Sequence, residues 1–135
     1  MPEKRTMQKA KAALREGKRP TTAAGEFVRE EIEHVRRGEH GARSPQQAIA
    51  IGLSKARRAG VPLPPPRKGE ATERTRRSAE AAYEVGQKKR SPRAPSRKRG
   101  AAVLGALKRE RKSSVSTSAL SGQAKRAAAR RRARR

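Results

Sequence analysis

Residues 44–62 read SPQQAIAIGLSKARRAGVP, and both ends of a helix are written into them. Ser44 is an N-cap whose hydroxyl can accept a first-turn backbone N–H. Pro45 suits the first helical position, where no N–H is needed, and Gln47, three residues past the cap, completes a capping box. Ile49, Leu53 and Ala56 then recur at i, i+4 and i+7, with Ile51 close to the same face. In Ala59-Gly60-Val61-Pro62, Gly60 can take the left-handed conformation, Val61 can fold back on the last turn, and Pro62 cannot continue the helix. The stretch predicts a helix from Pro45 to Ala59.

Toward the N-terminus, Val28, Ile32 and Val35 repeat at i, i+4 and i+7 with Phe27 beside them. Thr21 and Thr22 offer N-caps, and Gly38 and Gly41 mark the exit. Glu26, Glu30 and Glu33 fall on the opposite side, with Glu33 four residues before Arg37, a favourable helix pair. The short connection 38–44 suits a helical hairpin. Met7, Ala10 and Leu14 outline a further short helix that stops at Gly17 and gives the hairpin a third side. The expected fold is therefore all-α: a small N-terminal helical hairpin or three-helix module over residues 1–61, followed by a basic arm that is partly disordered or conditionally helical.

Toward the C-terminus, Pro62-Leu63-Pro64-Pro65-Pro66 opens a stiff polyproline strap, residues 62–69. Glu70–Arg74, Glu73–Arg77 and Glu84–Lys88 are i, i+4 pairs that predict an exposed charged helix within 70–90, with Ala79, Ala82 and Tyr83 as its apolar seam. Residues 91–135 form a basic tail rich in Ser, Pro, Ala and Arg. Within it, Val103, Leu104 and Leu107 suggest a short helix weakened by Gly100 and Gly105. A Ser/Thr spacer at 113–118 leads to an Ala/Arg helix with Leu120, Ala124 and Ala127 on one side. Ordering a residue costs about 1–2 kcal/mol and burying a large apolar side chain returns about 1.5–3 kcal/mol. Large aliphatics concentrate between Met7 and Leu63, so the second half is expected to order on a partner.

Charge names the kind of partner. The chain carries 37 Lys and Arg against 12 acidic residues, a net charge of +25. Residues 1–66 hold 14 basic and 7 acidic side chains, and residues 67–135 hold 23 and 5. A half-chain that repels itself this strongly calls for a polyanion, and nucleic acids are the abundant ones. The chain contains no cysteine, which removes thiol chemistry and disulfides. It has no apolar run long enough for a membrane span and no signal-peptide core, so a cytoplasmic, nucleoid location with no membrane partner is expected.

Catalysis fails on inventory. Every acidic residue is Glu, which rules out a Ser-His-Asp arrangement, and no glycine-rich phosphate loop follows a strand. Neither a small-molecule substrate nor a cofactor is expected. His34 and His40, with Glu30 and Glu33 nearby, could hold a metal ion. Two histidines without a clear third ligand, however, read as a helix-end and a loop side chain in water.

Binding is better supplied. Arg43, Lys55, Arg57 and Arg58 flank the helix that begins at Pro45, away from its Ile49/Leu53 face. Gln46 and Gln47 in its first turn are placed as a recognition helix would place them, but Gln47 is already explained as a cap, and the turn before it is long for a helix-turn-helix. Phosphate anchoring is the favoured reading. The rest of the expected nucleic-acid surface is Arg67, Lys68, Lys88, Lys89, Arg90, Arg93, Arg97, Lys98, Arg99, Lys125, Arg126, Arg130, Arg131, Arg132, Arg134 and Arg135. Phe27 is assigned to the core, which leaves Tyr83 as the sole aromatic able to stack a base. That scarcity favours duplex over single strand, and duplex DNA is preferred to RNA. An RNA-binding or ribosome-associated role is the alternative. Glu26, Glu30 and Glu33 offer an acidic face to a protein partner.

Gly25-Glu26-Phe27-Val28-Arg29-Glu30-Glu31-Ile32-Glu33-His34, Gly41 to Ser44 and Gln47 to Gly60 resemble a family of short basic bacterial proteins without a characterised activity. The resemblance covers roughly residues 1–70, extends into the Pro-rich strap, and implies no active site. Ser91-Pro92-Arg93 and Ser96-Arg97-Lys98-Arg99 resemble the Ser-Pro-basic turns of histone H1 tails, which lie in the DNA minor groove. The tail as a whole resembles bacterial H1-like proteins in composition. Together these imply a non-enzymatic, nucleoid-associated DNA-binding protein.

Overall fold

Six α-helices and one 3-10 turn account for the regular structure in the computed structural model, which describes residues 2–92 and 96–134. They are α1 (Lys4–Arg15), α2 (Pro20–Arg36), α3 (Pro45–Arg58), α4 (Glu73–Gly86), α5 (Arg97–Arg109), the 3-10 turn Ser113–Val115 and α6 (Thr117–Ala133). No strand occurs among the described residues, and the chain is all-α. None of the described helices is long and apolar enough to cross a membrane.

The stretch that opened the sequence folds as its punctuation dictates. Gln47 N–H donates to Ser44 Oγ at 3.2 Å, and Gln47 Oε1 in return accepts from Arg43 N–H at 2.6 Å, one residue earlier than the usual capping box. At the other end Gly60 has φ +103° and Val61 N–H reaches back to Ala56 O at 3.1 Å, a Schellman closure that buries Val61. The start of α2 differs from expectation. Its first helical residue is Pro20, with Arg19 O accepting from Thr22 and Ala23 N–H. Proline needs no donor there and already has the helical φ, so the helix begins before either threonine could cap it.

The described residues gather into two compact units, 2–30 with 50–92, and 31–49 with 96–134. In the first, Phe27 is the largest buried side chain. It lies in a cluster with Ala10, Ala13, Ala23, Ala24, Ala56, Val61 and Leu63, and Met7, Leu14 and Leu53 pack on its edge. The alanines bring helices close: a Cβ on Gly52 would stand 2.6 Å from the Val28 Cα, so α3 touches α2 backbone to backbone there. The strap runs against α3 because Arg57 turns inward. Its Nε donates to Leu63 O at 3.2 Å and its Nη2 to Pro64 O at 3.1 Å. A polyproline segment has no internal hydrogen bonds, and the guanidinium supplies the donors its carbonyls need. Arg76 Nε does the same for Pro66 O at 3.3 Å.

The charged helix expected within 70–90 is α4, capped by Thr72, which accepts from Thr75 N–H, and it buries Ala79 and Ala82. Glu70 precedes it and accepts from Arg67 N–H at 3.0 Å, Glu73 pairs with Arg76, and Glu84 with Arg90. Partners shift from the i, i+4 expectation because Glu70 lies outside the helix and Arg90 reaches back from beyond its end.

The second unit has a smaller core: Val35, Ala42, Ala48 and Val115, with Ile32 on its edge. Val115 is fully buried at the centre of a Ser/Thr stretch that reads in sequence as a spacer. Gly41 N–H donates to Leu107 O at 2.7 Å and Ala42 N–H to Arg111 O at 3.1 Å, fastening the α2–α3 connection to the end of α5. Arg36 Nη2 donates to Val115 O at 3.4 Å. The described part of the tail is thus largely helical. α5 and α6 bury no residue of their own, and Val103 and Leu104 of α5 are exposed.

Candidate nucleic-acid interface

The basic residues picked out by sequence divide sharply by environment. Arg43, Arg58, Arg67, Lys68, Lys88, Lys89 and Arg90 are exposed, and Lys55 is half-buried. Arg97, Lys98 and Arg99 occupy the exposed first turn of α5, where Ser96 Oγ accepts from Arg99 N–H at 3.3 Å. Ser96 therefore caps a helix instead of making the expected H1-like turn. Lys125, Arg126, Arg130, Arg131, Arg132 and Arg134 are exposed along α6 and its C-cap. Arg93 and Arg135, also expected in the interface, lie outside the described residues.

Arg57 is the departure. Only 7% exposed, it holds the strap carbonyls, and burial lowers its pKa from the usual guanidinium value. Its hydrogen bonds face inward, so it cannot serve as a phosphate ligand. Its place at the C-terminal end of a basic helix looks, in sequence, the same as that of its exposed neighbour Arg58.

In the second unit the fold gathers residues that are distant in sequence. Arg43, Arg111 and Arg126 line one cleft of about 340 Å³ with Ser113 and Ser118. Arginine and serine are residue types suited to a phosphate: arginine presents a planar fork to phosphate oxygens, and serine adds neutral donors. Pro45 at the α3 N-terminus also borders the cleft, and a helix start adds partial positive charge. Arg43 and Arg126 were expected on the interface. Arg111 and the serines were not, because nothing in their local sequence separates them from the rest of a basic, Ser-rich segment.

The acidic face also divides. Glu33 is exposed beside Arg37, at 3.7 Å, and Glu26 is half-buried. Glu30 is buried, with Oε1 accepting from Glu3 N–H at 2.6 Å and from Thr6 Oγ1 at 3.2 Å. It acts as a long-range cap on α1, which has no side-chain cap of its own, and the positive helix start favours a carboxylate there. A partner at this side would meet Glu26 and Glu33 only.

His34 and His40 are largely buried around Glu31, which has no exposure at all. Glu31 Oε1 lies 3.7 Å from His34 Nδ1, Glu31 Oε2 lies 3.3 Å from His40 Nε2, and His34 Nε2 lies 3.5 Å from Glu39 Oε2. The carboxylate between the two histidines is thus Glu31, which the sequence did not single out.

Comparison with protein-family models, curated proteins and solved structures finds no match to this chain.

Proposed function

We propose that this chain is a non-enzymatic, largely sequence-nonspecific binder of duplex DNA, nucleoid-associated in the manner of H1-like proteins. The observation that carries this reading is the cleft where Arg43, Arg111 and Arg126 converge with Ser113 and Ser118. Phosphodiester anchoring is the chemistry this donor set serves best. Around it, α6 adds a helix of 17 residues that carries Lys125, Arg126, Arg130, Arg131 and Arg132, buries nothing, and has no acidic residue. At about 1.5 Å per residue it is about 25 Å long and can follow about seven base pairs of backbone. The basic arm neutralises phosphates and releases counterions, and the cleft fixes where one of them sits. The aromatic inventory, Phe27 in the core and Tyr83 half-buried, supports duplex over single strand.

The test is competition binding of the full chain to duplex DNA, duplex RNA and single strands across a salt series. With about eight phosphates engaged, log affinity should fall against log salt with a slope of about −7. Changing Arg43, Arg111 and Arg126 together to Gln should flatten the slope to between about −4 and −5, weakening all DNA sequences alike. Salt-insensitive binding, or none, sinks the proposal. A strong preference for folded RNA transfers it to the ribosome-associated alternative.

A further inference from the structure

A carboxylate as deeply buried as that of Glu31 is costly to keep charged without close compensation. Among its neighbours are two imidazoles supplied by different parts of the chain. Glu31 and His34 are three residues apart on the last turns of α2, which places both side chains on one helix face. His40 comes from the loop after α2, held where Gly41 and Ala42 N–H donate to the carbonyls of Leu107 and Arg111.

Each ring has one nitrogen turned toward Glu31 and the other turned to an outer acceptor. His40 Nδ1 lies 2.8 Å from Gly41 O. A carbonyl can only accept, so the hydrogen is on Nδ1, and in the neutral ring Nε2 presents its lone pair to Glu31 Oε2. His34 Nε2 faces Glu39 Oε2 at 3.5 Å, and its Nδ1 faces Glu31 Oε1 at 3.7 Å. An outer acceptor that fixes the tautomer is also the usual support of a metal-ligating histidine.

The Glu31–His40 separation matches the edge of a metal tetrahedron, and the Glu31–His34 separation exceeds it by a few tenths of an ångström. The Glu31, His34 and His40 ligand atoms all lie within 4.8 Å of one another, and the Glu31–imidazole distances are 3.3 and 3.7 Å. A tetrahedron with metal–ligand bonds of about 2.0–2.1 Å has edges of about 3.3–3.4 Å. A direct N–H···O hydrogen bond would draw the same atoms to about 2.9–3.0 Å.

We propose that Glu31, His34 and His40 bind one divalent transition-metal ion, with Zn²⁺ the best match to a two-imidazole, one-carboxylate donor set. The ion ties the end of α2 to the loop that follows it. His34 binds through Nδ1 with Glu39 behind it, and His40 binds through Nε2 with Gly41 O behind it. The fourth position is left to water. Glu-x-x-His on one helical turn is a spacing that helix-borne metal sites use, and joining loop to helix through a metal adds binding free energy to folding. This inference stands apart from the DNA-binding proposal, since none of these residues belongs to the basic interface.

The experiment uses the full chain without a histidine tag, stripped with a chelator and titrated with Zn²⁺ against a chromophoric indicator. One equivalent should bind. Added Co²⁺ should give the visible d–d absorption of a four-coordinate N/O site. His40→Ala and His34→Ala should each weaken Zn²⁺ binding by about a hundredfold or more, and Glu39→Gln by about tenfold. Circular dichroism of each variant confirms that helicity is retained. Should Glu31→Gln fail to fold, the histidine variants carry the test. No stoichiometric uptake, or uptake unchanged in the histidine variants, overturns the proposal.

Discussion

The two units solve the same problem with different material. The first packs helices round Phe27 with Ala10, Ala13, Ala23, Ala24 and Ala56, and closes with Val61 and Leu63. The second has Val35, Ala42, Ala48 and Val115, with Ile32 on its edge. Where apolar side chains are few, the structure relies on direct ties: loop N–H groups to the carbonyls at the end of α5, Arg36 to Val115 O, and Glu31 among its histidines. The comparison shows why the basic half was hard to credit with structure. It supplies Val115, whereas Val35, Ile32, Ala42 and Ala48 come from the other half of the chain.

The sharpest way to break this contrast is Phe27→Ala. Removing the only large ring from the first core should cost about 3–5 kcal/mol, the range for a buried phenylalanine. Denaturant unfolding measures the loss, and amide exchange should place it in α1, α2 and the 61–63 segment. A cost under 1 kcal/mol would mean that the alanine contacts alone hold that unit. Val115→Ala tests the second unit and should cost about 2 kcal/mol, since fewer methyl groups are lost and the site is small. Its signature is lost protection at Gly41 and Ala42. If it proves neutral, Val115 is not the centre of that core. The smallest effect is Glu33→Gln. Glu33 is exposed and pairs with Arg37 at 3.7 Å, so the change should cost no more than about 0.5 kcal/mol. Glu31, two residues away and wholly buried, is the opposite case on the same helix.

Much of the helical plan was legible. Residues 44–62 carry their own start and stop, and the structure reproduces them within a residue. The Met7, Ala10 and Leu14 stripe and the Ala79 and Ala82 seam also lie on helices where the spacing put them. The site was legible only as chemistry. Exposed arginines could be counted along α6, but their neighbours across the fold could not. Arg57 and Arg58 are adjacent and chemically identical; one holds the strap and the other faces solvent. For the cluster of Glu31 and the two histidines a signal did exist: Glu31 stands at i, i+3 from His34.

By itself, then, the sequence determined what short-range physics controls: helix ends set by Ser44, Pro45 and Gly60, helix faces set by the 3.6-residue period, and a net charge of +25. Only the tertiary structure decided which polar groups left water. Glu30 became a cap for α1, Arg57 a clasp on the strap, Glu31 the centre of a histidine pair, and Val115 a core residue inside a serine stretch. Burial of a polar group depends on whether a distant segment brings its partner within hydrogen-bonding or coordination distance. That meeting is a property of the folded chain and is not encoded in any local run of residues.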